Sequence, residues 1–389
     1  MDFKPNYISA KKILNNFISK GLESYSSKRN FDFGPENKSN VSCLSPFIRK
    51  RIIHERTILD NCLKNNKFGN IEKFIQEIFW RTYWKGWLEG RSKVWEDYNK
   101  KLEFLKDEVN LKPLKKDYLK AVSGNSGIEC FDSWVKELVT TGYLHNHSRM
   151  WFASIWIFTL NLPWELGADF FYKNLLDADP ASNTLSWRWV AGLQTEGKIY
   201  LASEENIEKF SKFKFSKKSV LEKKPKLPTY INYTYIPPLF KEKETSNDET
   251  FLITLNNLIY SDYQIQKIRN YNVLFLDLRS EVSTRNVKDE YDQEAIKEYI
   301  DFLNHKNIKV KCLKEIDQLA DMCKPKKTII CDYPGVGYQL DKINEASKRY
   351  GIEVKFIYDQ FDLMCWPYAK AGFFKFKKKI PFFLENIHN

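Results

Sequence analysis

The chain lacks paired cysteines. Its seven stand singly at 43, 62, 130, 312, 323, 331 and 365, with no C-x-x-C spacing. That excludes a zinc-finger type of site and a disulfide framework, and it fits a reduced, intracellular protein. Long apolar runs are lacking too: no window approaches about 18 uninterrupted apolar residues, and the N-terminal MDFKPNYISAKKIL has no apolar core. Neither a membrane span nor a signal peptide is expected, so the chain reads as cytoplasmic. G-x-G-x-x-G is also absent; Gly335 and Gly337 in DYPGVGY are too closely set for a dinucleotide loop and read as a strand-to-helix turn.

What the chain has is aromatic residues and positive charge. Aromatics make up 15% of 389 residues, with 11 Trp, more indoles than helix cores require. Stacking surfaces or electron relays need them. The net charge of +12 favours a polyanionic partner such as nucleic acid, although Lys and Asn richness can also reflect genome composition. The length allows two domains, each with its own core.

Residues 1–210 show helical periodicity, clearest over Ile71–Leu88. A linker is expected over 211–250, where Lys217, Lys218, Lys223, Lys224 and Lys226 accompany four Pro and a polar ETSNDET. Over 251–389 short apolar runs alternate with amphipathic segments. Strands are expected at Phe251–Tyr260, Val273–Leu278, Ile308–Leu313, Thr328–Cys331 and Val354–Tyr358, with helices near 290–305, 314–323 and 340–349. This alternation predicts a Rossmann-like α/β domain with a parallel sheet behind an all-helical domain.

One span stands out chemically. Thr141–Gln194 packs Asn146, Arg149, Asp177, Asp179, Asn183, Trp164, Trp187 and Trp189 into a helical, apolar context. A buried polar group costs about 1–3 kcal/mol unless it is hydrogen-bonded, so the cluster implies a large polar ligand. HN-x-x-RM, LLD-x-D-PASN and W-x-W-VAG stand here in the order and spacing of the FAD-binding domain of the photolyase/cryptochrome family, which the chain resembles. The resemblance covers 20–210 and extends, on fewer residues, over 250–389 through LITLNNLIYSD and FFKFKKKIPFFL. In the common family arrangement the α/β domain comes first; here it follows, in permuted order.

The resemblance implies FAD as cofactor and supplies residue roles. Ser42, Leu44 and Ser45 in VSCLSPF resemble the pyrophosphate-binding turn, though hydroxyls before a helix are also plain caps. Tyr25, Arg81, Asn146, Arg149, Asp177, Asp179 and Asn183 complete the implied cofactor contacts. Arg149 is expected to pair with one of the two Asp, because a buried carboxylate requires a positive partner. Without the family this would be a structural ion pair. Asn183 is implied to face the flavin N5, where repair enzymes carry Asn and plant-type photoreceptors carry Asp.

Glu77 lies one helical turn before Trp80, hence on the same face. With Trp189, Asn146 and Met150 these two are implied to line the catalytic pocket for a flipped pyrimidine pair; an aromatic stripe at helical spacing is otherwise core. Enzymes of the family acting on 6-4 photoproducts carry His at the positions of Asn146 and Met150, so a cyclobutane dimer in UV-damaged DNA is the expected substrate. Trp187 and Trp164 resemble the first two members of the family's electron-transfer chain. The third position holds Leu111, leaving Trp95, Trp151 or Trp156 as substitutes. Thr82 and Ala121 also depart from the family pattern. DNA-backbone contacts are expected from Arg49, Lys50, Arg51 and Lys198. Light-driven repair by a monomer is the resulting expectation, with a photoreceptor that binds FAD without repair as the alternative. Whether an antenna chromophore binds is left open.

Overall fold

A computed structural model describes residues 3–212, 214–215, 221–240, 250–277, 286–322 and 328–388. Lys217, Lys218 and 241–249 of the expected linker, and Leu278 of an expected strand, lie outside the described residues.

The first half is helical. The helices that frame the site include α1 (Tyr7–Lys20), α2 (Ser45–Arg49), α3 (Phe68–Glu89), α4 (Lys93–Lys106), α5 (Glu129–Thr141), α6 (Asn146–Ser154), α7 (Trp164–Asn174) and α8 (Pro180–Val190). Local chemistry sets their ends. Gly142, in the left-handed region at φ +66°, stops α5, and Asp179 caps α8 by accepting from the Ser182 N–H ahead of Pro180 at the first turn. A π-helical turn, Ile155–Thr159, extends α6.

The second half is a five-stranded, all-parallel sheet. Its elements run β1 (Thr250–Thr254), α9 (Asp262–Ile268), β2 (Asn272–Leu276), α10 (Val287–His305), β3 (Val310–Leu313), α11 (Asp317–Met322), β4 (Thr328–Asp332), α12 (Tyr338–Tyr350), β5 (Glu353–Ile357), α13 (Gln360–Cys365), α14 (Phe373–Lys377) and α15 (Ile380–Glu385). The strand order is β3-β2-β1-β4-β5. Alternation assigns the faces: Phe251, Ile253, Val273, Phe275 and Ile330 join the large core shared with the helical half, while Leu252, Leu274, Ile329 and Cys331 form a second core on the far face. The first strand is shorter than the sequence suggests because Leu255–Asn257 turns toward the helical half. Helix α9, unanticipated, supplies the first crossover.

The two halves meet along the carboxyl ends of β1 and β4, where the strand order reverses. In open α/β sheets that crevice commonly holds a ligand. Here the helical half fills it. Arg49 donates to Asn256 Oδ1 at 2.8 Å, and Glu89 accepts from the Val336 N–H at 2.8 Å and the Tyr333 hydroxyl at 2.7 Å. Gly337 lies against Pro180, where a Cβ would come within 2.5 Å of the ring; the DYPGVGY turn is thus a packing turn.

Candidate functional site

The basic run Arg49–Lys50–Arg51 corrects an expectation. All three side chains are buried, and none faces solvent where DNA could reach it. Lys50 Nζ lies 2.6 Å from Asp292 of α10 and also donates to the Leu176 carbonyl at 3.1 Å. Arg51 pairs with Asp359 at 3.2 Å and with Asp362. A charge leaves water only when a partner compensates it; acidic residues of the α/β half do this for Lys50 and Arg51, and Asp179 of the helical half, 4.0 Å away, does it for Arg49. Lys85 joins them, 3.3 Å from Asp362. Lys198, by contrast, is exposed.

Most of the residues expected to contact the cofactor lie where α2, α6 and the start of α8 approach one another. Arg149 makes a two-point contact with Asp177, at 3.0 and 2.9 Å, and its guanidinium lies over the Tyr143 ring. Asp179 receives Arg81 at 3.3 Å; burial alone would raise its carboxyl, but Arg81 and Arg49 hold it down at about 2. Asn183 donates to the Ala168 carbonyl at 2.8 Å, leaving its side-chain oxygen to accept. Cys43, at φ +53°, turns the chain between Ser42, whose hydroxyl takes the Leu44 N–H at 3.4 Å, and Ser45 at the head of α2. Tyr25 packs edge-on against Phe17 and Phe74, and burial pushes its phenol far up.

Two buried polar atoms close by in the chain have no partner among the described residues: the Ser182 hydroxyl beside Asn183, and Nε of Arg29. Such orphans cost about 1–3 kcal/mol each unless a ligand satisfies them. Hydroxyls, an amide, two carboxylates and arginines around unsatisfied donors suit a ligand with phosphate, ribityl and ring-amide groups, so the residues present fit FAD.

Residues 74–250 match the family model described as the FAD-binding domain of DNA photolyase. That span is an FAD-binding domain of the photolyase/cryptochrome family. FAD is the cofactor of that domain, and the matched span holds Glu77, Trp80, Arg81, Asn146, Arg149, Asp177, Asp179, Asn183 and Trp187, while Tyr25 and the Ser42–Ser45 turn precede it. The chain is 28% identical over 234 residues to a deoxyribodipyrimidine photo-lyase of Alkalihalophilus pseudofirmus, covering 59% of this chain and 44% of that one. With the deoxyribodipyrimidine photo-lyase of Agrobacterium fabrum the identity is 31% over 198 residues, 48% of this chain and 38% of the other. It thus spans less than half the length of these relatives. A solved bacterial class III photolyase from Agrobacterium tumefaciens superimposes with a TM-score of 0.44 at 27% identity, over 53% of this chain and 42% of that one.

The expected pocket residues are distributed along α3 and its neighbours. Glu77 is half-buried, with Arg29 at 3.4 Å; burial raises its carboxyl above the usual range and Arg29 lowers it only in part. Trp80 meets Phe373 of α14 face to face, ring centroids 3.6 Å apart and planes 13° from parallel. Trp189 is 37% exposed and stacks on Tyr200 instead, so no ring contact joins it to Trp80. Among the described residues the Asn146 amide approaches Met150 Sδ alone, at 4.0 Å. His145 caps α6 and burial lowers it to about 4, while His147 stacks on Trp151, which makes both structural.

Sequence reasoning missed Arg29, Tyr98 and Phe373. Arg29 follows Tyr25 by four residues and could have been found as its helical neighbour. The other two act through contacts distant in the chain. Tyr98 stacks on Trp164 at 5.5 Å and lies 5.5 Å from Trp95, bridging them. Leu111 is half-buried, and among the described residues no helix is long and apolar enough to cross a membrane.

Proposed function

We propose that the protein is a light-dependent DNA-repair lyase that splits cyclobutane pyrimidine dimers, acting as a monomer in the cytoplasm. The observation that carries this reading is the pairing of Glu77 with Trp80, one turn apart on α3, half-buried, with Arg29 beside the carboxyl. Reduced FAD, when bound, supplies the light-driven electron to the dimer. Two carbon–carbon bonds of the cyclobutane ring then break and the electron returns, so no net redox change occurs.

The chain binds, orients and moves a proton. Trp80 stacks on the flipped pyrimidine pair through the indole face that Phe373 does not cover. Glu77, with its carboxyl raised by burial, shares a proton with a pyrimidine carbonyl as negative charge develops there. Arg29 limits that rise and orients the acid. Asn146 and Met150, in place of two His, leave no imidazolium for 6-4 chemistry. When FAD is bound, Ser42, Leu44, Ser45 and Tyr25 would hold its diphosphate region, Arg149 with Asp177 would fix its ring system, and Asn183 would hydrogen-bond the flavin N5. Arg81 positions Asp179. We assign the cofactor domain to 1–210, a linker to 211–250 and the α/β domain to 251–389, an order permuted relative to the common one.

Anaerobic incubation of flavin-loaded, reduced protein with a dimer-containing oligonucleotide tests the proposal. Loss of dimers in light and not in the dark is expected. Flavin loading and photoreduction without any loss of dimers would favour a photoreceptor.

A further inference from the structure

The α14 segment, distant in sequence from the cofactor-binding half, lies along α3. Tyr83 donates to the Ala371 carbonyl at 2.7 Å, Lys377 pairs with Glu72 at 3.4 Å, and Phe373 stacks on Trp80. Phe373 and Phe376 are buried in this contact, and Phe373 fixes the ring plane of Trp80. The outer face is different. Phe374 is 79% exposed, and Lys375, Lys378 and Lys379 stand beside it in solvent. Lys370 is exposed as well, and from Leu363 to Leu384 there is no acidic residue. Tyr368 and Phe382, 39% and 42% exposed, extend the aromatic surface, with the Lys379 ammonium over the Tyr368 ring at 5.5 Å. An exposed Phe among unpaired lysines gains nothing from folding; it gains when a π-face and phosphates arrive together.

We propose that this face of α14 is a nucleic-acid-binding surface, in which Lys375, Lys378 and Lys379 contact backbone phosphates and Phe374 stacks on an unpaired base next to the Trp80 site. The proposal rests on the reading that the partner is nucleic acid. It moves the phosphate contacts from the buried Arg49–Arg51 run to the C-terminal segment.

The test is dark equilibrium binding of the full chain to a labelled single-stranded oligonucleotide across a salt series. K375Q/K378Q/K379Q should weaken binding about 10- to 100-fold and make the log–log salt slope shallower by about two to three units. Phe374→Ala should weaken it about 5- to 100-fold at unchanged salt slope, and Phe374→Trp should restore it. A control triple, K20Q/K120Q/K136Q, removes the same charge from exposed positions elsewhere and should change the slope by less than one unit. Equal effects of both triples, or loss of binding to phosphatidylserine vesicles with oligonucleotide binding intact, would overturn the proposal. Because the assay needs no light, absence of photorepair with binding lost in the α14 variants would refute the proposed function alone, and photorepair with unchanged binding would refute this surface alone.

Discussion

Arg51 reaches Asp359 across the interface between the halves, 3.2 Å away and out of contact with bulk water on the arginine side. The same arginine holds Asp362, to which Lys85 of α3 also points. Removing one member of a buried charge pair strands the other, at about 3–5 kcal/mol. Arg51→Ala should therefore lower thermal stability markedly and increase proteolysis near the linker. Its oligonucleotide affinity, measured below the unfolding range, should stay at the wild-type value; a shallower salt slope in Arg51→Ala would contradict the assignment of this residue to the interface.

Glu89 gives the docking a pH dependence. Burial raises its carboxyl to about 7, with the Val336 N–H and Tyr333 hydroxyl lowering it only in part. A carboxyl whose folded value exceeds its unfolded one stabilises the fold below the unfolded value, and that contribution is lost as pH rises through the folded value. Stability should fall between about pH 4.5 and 7 by roughly 3 kcal/mol from this group. Glu89→Gln should remove that fall and leave the opposing rise from His145, which burial lowers to about 4 and which therefore adds stability as pH rises through the same window. Asp179 and Asp292, both held at about 2, act oppositely and only in strong acid, so they leave this window undisturbed.

Glu77→Gln keeps the shape of the side chain and its contact with Arg29 while removing the ionisable acid. The quantum yield of dimer splitting should fall several-fold, about 1 kcal/mol or more in the competition between splitting and electron return. Flavin content should be unchanged. Quantitative flavin release on denaturation, compared with dimer loss per absorbed photon, separates the two effects.

We propose an electron relay through Trp187 with two aromatic paths to draw on, one in ring contact with it and one that begins at Trp164. Trp156 lies 6.2 Å from Trp187 and meets Tyr118 at 6.1 Å, while Trp164 continues through Tyr98 to Trp95. The indole N–H groups distinguish them. Trp95 donates to the Asp341 carboxylate at 2.7 Å, which can take the proton of an oxidised indole, whereas Trp156 donates to the Pro163 carbonyl, which cannot. Trp95→Phe and Tyr98→Phe should slow light-driven reduction of oxidised FAD several-fold, and Trp156→Phe should not. Transient absorption of the tryptophan radical reads this out; Asp341→Asn should lengthen the cationic radical signal at the expense of the neutral one.

The sequence by itself determined the helical and α/β halves, because periodicity and strand–helix alternation are local, and it determined the polar cluster, because HN-x-x-RM and LLD-x-D-PASN lie within 40 residues of one another. It also placed Glu77 and Trp80 on one face, since a helical turn is fixed geometry. It did not determine what charged side chains meet. Arg49, Lys50 and Arg51 read as a DNA-facing patch until Asn256, Asp292, Asp359 and Asp362, more than 200 residues away, are folded onto them. Likewise Phe373 on Trp80 and Tyr98 between Trp164 and Trp95 arise only when distant helices pack. Burial and pairing are properties of the assembled core, and only the tertiary structure decides which basic residues remain free for a polyanion.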